Sequence, residues 1–159
     1  MRTLIILLIA LAPASAAAAA QSTLGHPDGW SVHMTGKNSA ALLSDLKSAI
    51  ASEKMGLVTE AGPTEAAAQR GETIPGNRVL GVFRNDFAVT IIRAAPAAMI
   101  EAPIRFMIME EPDGTATLAY KRPSAVFAPY EATGGETLAR AASDLDTIFA
   151  AITEKAVGE

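Results

Sequence analysis

Two stretches of the chain repeat apolar residues with the 3.6-residue period of a helix that buries one face. The first stripe consists of Leu42, Leu43, Leu46, Ala49 and Ile50. The second consists of Leu138, Ala142, Leu145, Ile148, Phe149 and Ile152. The first pattern predicts a helix that begins at Asn38 or Ser39, either of which can cap it, and stops at Gly56. The second predicts a longer helix that begins after Gly134-Gly135.

Shorter segments with alternating apolar residues or β-branched residues predict strands. These segments cover residues 30–35, 57–59, 78–83, 104–110 and 115–121. Pro112-Asp113-Gly114 between the last two is typical of a tight turn and predicts an antiparallel hairpin. Gly81 inside the third segment indicates a bulge or the close approach of a neighbouring element. Residues 87–93 fit a strand by propensity, but Asn85-Asp86 before them and Pro96 after them favour a short buried helix.

Two helices that each have one apolar stripe need a common surface to cover. Four or five strands, at least two of them antiparallel neighbours, supply that surface. The pattern therefore predicts a two-layer α+β domain. Its mainly antiparallel sheet of four to five strands carries both long helices on one face.

The N-terminus has the three parts of a secretory signal peptide. Arg2 supplies the positive charge, Leu4 to Leu11 form the apolar segment, and Ala14-Ser15-Ala16 is a small-residue cleavage pattern. The apolar segment is too short for a membrane span, which needs about 20 residues. We therefore expect residues 1–20 to be a signal peptide and residues 21–159 to be one domain, located in the periplasm or secreted.

Composition excludes several classes of function. The chain has 159 residues, no cysteine and a formal net charge of −4, so thiol chemistry and cysteine-bound metals are excluded. An acidic chain without a run of Lys or Arg is a poor nucleic-acid binder, because the phosphate backbone needs positive charge. No second long apolar segment follows Leu4 to Leu11. We expect no nucleic-acid partner and no membrane association after the signal is removed.

The central part of the chain resembles a bacterial family catalogued as domain of unknown function 302. The resemblance rests on five features: Arg78-Val79-Leu80-Gly81-Val82-Phe83-Arg84-Asn85, Ala102-Pro103-Ile104-Arg105-Phe106, Asp113-Gly114, Tyr120 and Pro123. It extends from about Ser31 to Ala156. The chain departs from the family pattern at Arg84 and Asp86, where the family usually has Gly and Pro. It also lacks the histidine that the family often has near the position of Pro63. The resemblance implies a two-layer α+β fold similar to TATA-binding-protein-like domains and implies no established activity.

Polar residues at the strand ends are the candidates for a ligand site. Arg84 and Asn85 end one strand, and Arg105 and Tyr120 lie on the two hairpin strands. Together with Glu101 they are able to line the rim of a polar-ligand pocket, with Arg93 and Lys121 beside them. The alternative interpretation is ordinary surface charge, with Arg105 paired to Glu101 or to an acid on a neighbouring strand.

Metal chemistry has two weaker candidates. His26, Asp28 and His33 are zinc-type ligands at short spacing, but spacing alone does not bring them together. Met107 and Met109 are copper-type ligands, but methionines in a strand are more often packed in a core. We therefore predict no metal and no cofactor.

Three functions stay open at this point. The first is non-enzymatic binding of a small molecule or a partner in a groove between sheet and helices, lined by Phe83, Phe106, Phe127 and the methionines. The second is a small hydrolase or isomerase that uses Arg105, Tyr120 and Glu101. The third is a structural or interaction module. Nucleophile motifs such as G-x-S-x-G are absent, so no catalytic residue is predicted and an enzyme is the less favoured choice. We also expect a homodimer.

Overall fold

Five strands form one sheet in the computed structural model, which describes residues 21–158. The strands are β1 (Trp30–Met34), β2 (Gly56–Ala61), β3 (Asn77–Phe83), β4 (Ile104–Glu110) and β5 (Ala116–Lys121). Their order across the sheet is β1-β5-β4-β3-β2, and every neighbouring pair is antiparallel. The signal peptide predicted for residues 1–20 lies outside the described residues.

The helices complete a two-layer α+β fold, as the sequence predicts. They are α1 (Ser39–Ser52), α2 (Thr64–Gln69), α3 (Asn85–Ala94), α4 (Pro123–Phe127) and α5 (Glu131–Val157), with 3-10 turns at Pro96–Glu101 and Ala128–Tyr130. The long helices α1 and α5 pack against each other and cover one face of the sheet, while α3 and α4 pack on α5. Within residues 21–158, no helix is long and apolar enough to cross a bilayer.

The first long helix begins where the sequence predicts and ends earlier. Asn38 caps it, because its side-chain oxygen accepts a hydrogen bond of 2.9 Å from the Ala41 N–H. The helix ends at Ser52, and Lys54, with φ of 58°, takes the left-handed conformation that we expected of Gly56. The Met55 N–H then closes the end on the Ile50 carbonyl at 3.1 Å, which brings the Met55 side chain into the core.

The structure also defines helices α3 and α5. Residues 85–94 form helix α3, with Ile91 buried, so the helical alternative for this segment is correct. Residues Glu131–Val157 form two helical segments that meet at Gly135, and the long segment begins after Gly134-Gly135, as the sequence predicts. Gly135 interrupts α5 at φ of 55° and ψ of −153°, a backbone conformation that only glycine adopts readily.

Aromatic packing fills the space between the sheet and the long helices. The Phe106 ring stacks on Phe149 of α5 at 4.5 Å between centroids, and Tyr120 packs against both rings at 5.2 and 5.3 Å. A gap of about 30 Å³ beside Phe83 and Phe127 is large enough for about one water molecule. The groove that we expected between sheet and helices is therefore absent at these residues, because their apolar side chains close it.

The other side of the sheet, which we call the open face, faces away from α1 and α5. Side chains alternate along a strand, so the residues between those of the core point to this side. One row of opposed positions crosses four strands of the open face as Val32, Ala119, Met107 and Val79. We call these four residues the apolar row.

Residues 21–29 form the N-terminal segment, and its first residues cover one end of the open face. The buried Glu111 carboxylate accepts hydrogen bonds from Ser22 Oγ at 2.8 Å and from the Thr23 N–H at 3.0 Å. It also accepts one from Thr117 Oγ1, which lies on the open face of β5. The carboxylate thus fixes the start of the described chain to the sheet.

A candidate ligand groove on the open face

A groove of about 560 Å³ lies at the opposite end of the open face. Val79, Met107 and Ala119 of the apolar row line it from the sheet. Trp30 lines it from β1, and α4 with the turn after it contributes further apolar side chains. A volume of this size is in the range that holds small organic ligands.

Two cations meet at this groove. Phe106 is opposite Tyr120 in the β4–β5 register, so Arg105 and Lys121 occupy the next opposed positions and both point to the open face. We call Arg105 and Lys121 the cationic pair. Both side chains are exposed, and the ion pairs among the described residues include neither of them. Lys121 Nζ lies 5.8 Å from the centroid of the Trp30 ring. The pairing of Arg105 with Glu101 or a cross-strand acid, our alternative interpretation, is therefore absent.

Two acids border the same groove. Glu101, at the end of a 3-10 turn, lines it together with Asp28 of the N-terminal segment. The Tyr130 hydroxyl donates a hydrogen bond of 2.8 Å to Glu101 Oε1, and this bond raises the pKa of Tyr130. The carboxylate of Glu101 is thus held by Tyr130 and forms no ion pair with Arg105.

Tyr120 borders the groove, but its ring belongs to the core. Only 5% of the residue is exposed. Its ring packs against Phe106 and Phe149 and lies parallel to that of His33 at 6.5 Å. This packing fixes the Tyr120 ring in the wall of the groove, so Glu101, Arg105 and Tyr120 are the three predicted site residues that line it.

Arg84 and Asn85 lie elsewhere, so the five predicted site residues do not form one site. Arg84 lines a separate cleft of about 650 Å³ between α3 and α5. Its guanidinium bonds to Asp86 Oδ1 at 2.9 Å, which lowers the pKa of Asp86, and lies 4.4 Å from the Phe87 ring centroid. Asn85 is exposed at the start of α3.

The cleft at Arg84 is a weaker candidate than the groove. Its second guanidinium, that of Arg140, bonds to Glu136 at 2.7 Å one helical turn away. Both arginines in this cleft are therefore already neutralised by local acids. A ligand would have to displace those ion pairs, whereas the cationic pair needs no such exchange.

The metal candidates are dispersed. His33 packs against Tyr120 on the helix-covered side, whereas Asp28 borders the groove and His26 is exposed in the N-terminal segment. Between residues 21 and 158, no group of three or more His, Asp or Glu side chains is placed to hold a metal ion. Met107 and Met109 lie half-buried on the open face, not in the core that we expected for them.

Sequence reasoning missed the groove residues Trp30, Val79 and Ala119. Each is unremarkable within its own strand. The signal that identifies them is the register: Val79 and Ala119 are both opposite Met107, and Trp30 is opposite Lys121. Register between distant strands depends on how the whole sheet assembles.

The antiparallel five-stranded sheet with its helices on one face defines the class of protein as a two-layer α+β domain. A family model described as "Domain of unknown function DUF302" matches residues 30–154, and the chain belongs to this family. The crystal structure of an uncharacterised conserved DUF302 protein from Bacillus stearothermophilus has a TM-score of 0.71 to this chain at 14% sequence identity. The match covers 82% of this chain and 99% of that one, and it shows a shared fold. A search of curated proteins found no match.

Proposed function

We propose that this protein is an exported domain that binds a small organic molecule in the groove on the open face, without catalysing a reaction on it. The observation that carries the proposal is the apolar row. Its four residues cross the sheet on the side away from α1 and α5, and three of them line a groove of about 560 Å³. Burying apolar ligand surface there contributes about 25 cal/mol per Å² before the costs of association.

The binding proposal is tested by NMR on residues 21–159 with a set of small soluble organic compounds. We expect ligands to shift the backbone amide signals of Met107 and Ala119. Met107→Glu places a charged, hydrated group in the middle of the groove and should abolish these shifts, because it removes the apolar surface that the ligand would contact. Ile92→Glu is the matched control, since Ile92 is half-exposed on α3. Shifts confined to the Arg84 cleft, or a Met107→Glu variant that binds normally, would overturn the proposal.

Export is supported by the order of Arg2, the apolar segment Leu4 to Leu11 and Ala14-Ser15-Ala16. We expect the native host to remove the segment after Ala16 or Ala20. Mass spectrometry of protein from the periplasm or the medium identifies the N-terminal residue. A mature protein that retains Met1 or Arg2 would contradict export by this route.

A homodimer is part of the same proposal. The sheet ends in two edge strands, β1 and β2, and all six residues of β2 are exposed. Edge strands have unpaired backbone groups that a second copy is able to bind. Light scattering of residues 21–159 at high micromolar concentration should give twice the monomer mass, and a monomer mass would reject this part.

A further inference from the structure

The positions of the charged residues in the groove indicate which class of ligand it would bind. Arg105 and Lys121 occupy opposed positions on neighbouring antiparallel strands, where side chains start about 5 Å apart. Like charges at such positions are destabilising. The ion pairs of residues 21–158 do not relieve this repulsion. A bound anion would relieve it.

The apolar row lies next to the cationic pair. Met107 follows Arg105 by two residues on β4, and Ala119 precedes Lys121 by two on β5, a distance of about 7 Å along each strand. Ala119 itself is fully buried, so a ligand whose anionic group contacts the cationic pair has its next atoms over Met107 and the neighbouring Val79. Those atoms need to be apolar to gain from the contact.

The two acids at the groove limit the charge of the ligand. Asp28 and Glu101 border the same space, and neither forms an ion pair with a described residue. A phosphate monoester carries a charge of about −1.5 to −2 at neutral pH, so both acids repel it more strongly than they repel a ligand with one negative charge. A carboxylate carries one charge, and its two oxygens match the two parallel N–H groups of a guanidinium.

We propose that the groove binds an organic carboxylate with a single negative charge and an apolar body. The carboxylate contacts Arg105 and Lys121, and the body lies on Met107 and Val79. This inference rests on the proposed function, because it names the ligand class of the same groove.

The test compares three probes with the same apolar body, octanoate, octylammonium and 1-octanol, in NMR titrations of residues 21–159. We expect octanoate to bind most tightly and octylammonium least. Arg105→Gln and Lys121→Gln should each weaken octanoate binding about 5-fold, the factor typical of one exposed charge contact, and leave 1-octanol binding unchanged. Arg93→Gln is the matched control, because Arg93 is exposed on α3 and does not line the groove.

The outcomes separate this inference from the proposed function. Equal affinity of the groove for octanoate and 1-octanol would overturn the carboxylate inference and leave small-molecule binding intact. Tighter binding of octyl phosphate than of octanoate would overturn the single-charge inference. If none of the probes, and none of the compounds in the wider set, shifts the Met107 and Ala119 signals, both proposals fail.

Discussion

The two faces of the sheet differ although they come from the same five strands. On the helix-covered face, Phe106, Ile108 and Leu118 are almost fully buried against α1 and α5. On the open face, Arg105 and Lys121 are exposed and Met107 is half-buried. Successive residues of β4 thus alternate between a packed core and a groove. The comparison teaches that the large apolar side chains of this fold pack on one side of the sheet, whereas the end of the other side that holds Arg105 and Lys121 stays exposed.

The largest effect that we predict separates neighbouring residues of β4. Phe106→Ala should lower the free energy of unfolding by about 3–5 kcal/mol, because it removes a buried ring that stacks on Phe149. Met107→Ala, one residue away on the open face, should lower it by less than about 1.5 kcal/mol, since the side chain is only half-buried. Urea unfolding of both variants measures the difference. Equal losses of unfolding free energy in the two variants would mean that the two faces of the sheet contribute alike to stability.

The second prediction concerns the end of the open face that the N-terminal segment covers. Glu111→Gln should cost about 1–3 kcal/mol at pH 7, because it weakens the hydrogen bonds from Ser22, Thr23 and Thr117. The exposed Glu154→Gln serves as the control. Urea unfolding gives the free energies, and a loss no larger than that of the control would mean that the segment is not held by this carboxylate.

The cost of Glu111→Gln should also depend on pH. Burial raises the pKa of Glu111, but the hydrogen bonds from Thr117, Thr23 and Ser22 outweigh burial and hold the pKa below the ordinary value of 4.5. A carboxyl group with a lowered pKa stabilises the fold above the unfolded value, and this contribution is lost as the pH falls through the folded value. The difference between wild type and Glu111→Gln should therefore be constant above about pH 5 and shrink below it. A difference that stays the same down to about pH 3 would contradict this.

A third, smaller effect is predicted at Gly81. This residue belongs to the open face, but Thr59 and Pro103 cover it. A Cβ atom there would lie 2.8 Å from Pro103 Cγ and would also collide with Thr59 Oγ1. Gly81→Ala should therefore destabilise by about 1–2 kcal/mol. Gly36→Ala is the control, because a Cβ atom at Gly36 meets no atom within 4 Å. Thermal melts that show no difference between the two variants would mean that the sheet gives way at this point.

The smallest effect has the opposite sign. Arg105→Gln should raise the free energy of unfolding by about 0.2–1 kcal/mol, because it removes one half of an opposed like-charge pair. Lys121→Gln should raise it less, because that variant also loses the contact of Lys121 with the Trp30 ring. The gain should shrink at high salt, where the repulsion is screened. Arg93→Gln should show no gain, because Arg93 lies in the last turn of α3, where a positive charge is favourable. A loss of stability in both groove variants would show that the cations are held by contacts that favour the fold.

Local sequence patterns were sufficient to predict most of the helices and strands. The apolar stripe from Leu42 to Ile50 predicted α1, and the Pro112-Asp113-Gly114 turn predicted the β4–β5 hairpin, because both signals depend on residues a few positions apart. The long segment of α5 begins after Gly134-Gly135 as predicted, whereas the short helical turn that starts at Glu131 was not predictable in the same way. Tyr130 and the turn before it place that start, and Gly135 interrupts the helix inside its first turns.

The candidate site was only partly predictable. Sequence reasoning selected Arg105 and Glu101, which line the groove, together with Tyr120, whose ring is part of the core. It also grouped Arg84 and Asn85 with them because all five are polar residues at or near strand ends. The structure separates Arg84 and Asn85 because β3 leads directly into α3, which packs on α5 on the helix-covered side.

The sequence by itself determined which residues alternate along each strand, which stripes of the long helices are apolar, and therefore the two-layer class of the fold. Each of those properties follows from the period of a single segment. Only the tertiary structure decided that Lys121 lies opposite the position of Arg105, that Val79 and Ala119 flank Met107, and that the groove is on the open face. These relations join strands that are distant along the chain, and they are set by the register in which the whole sheet assembles.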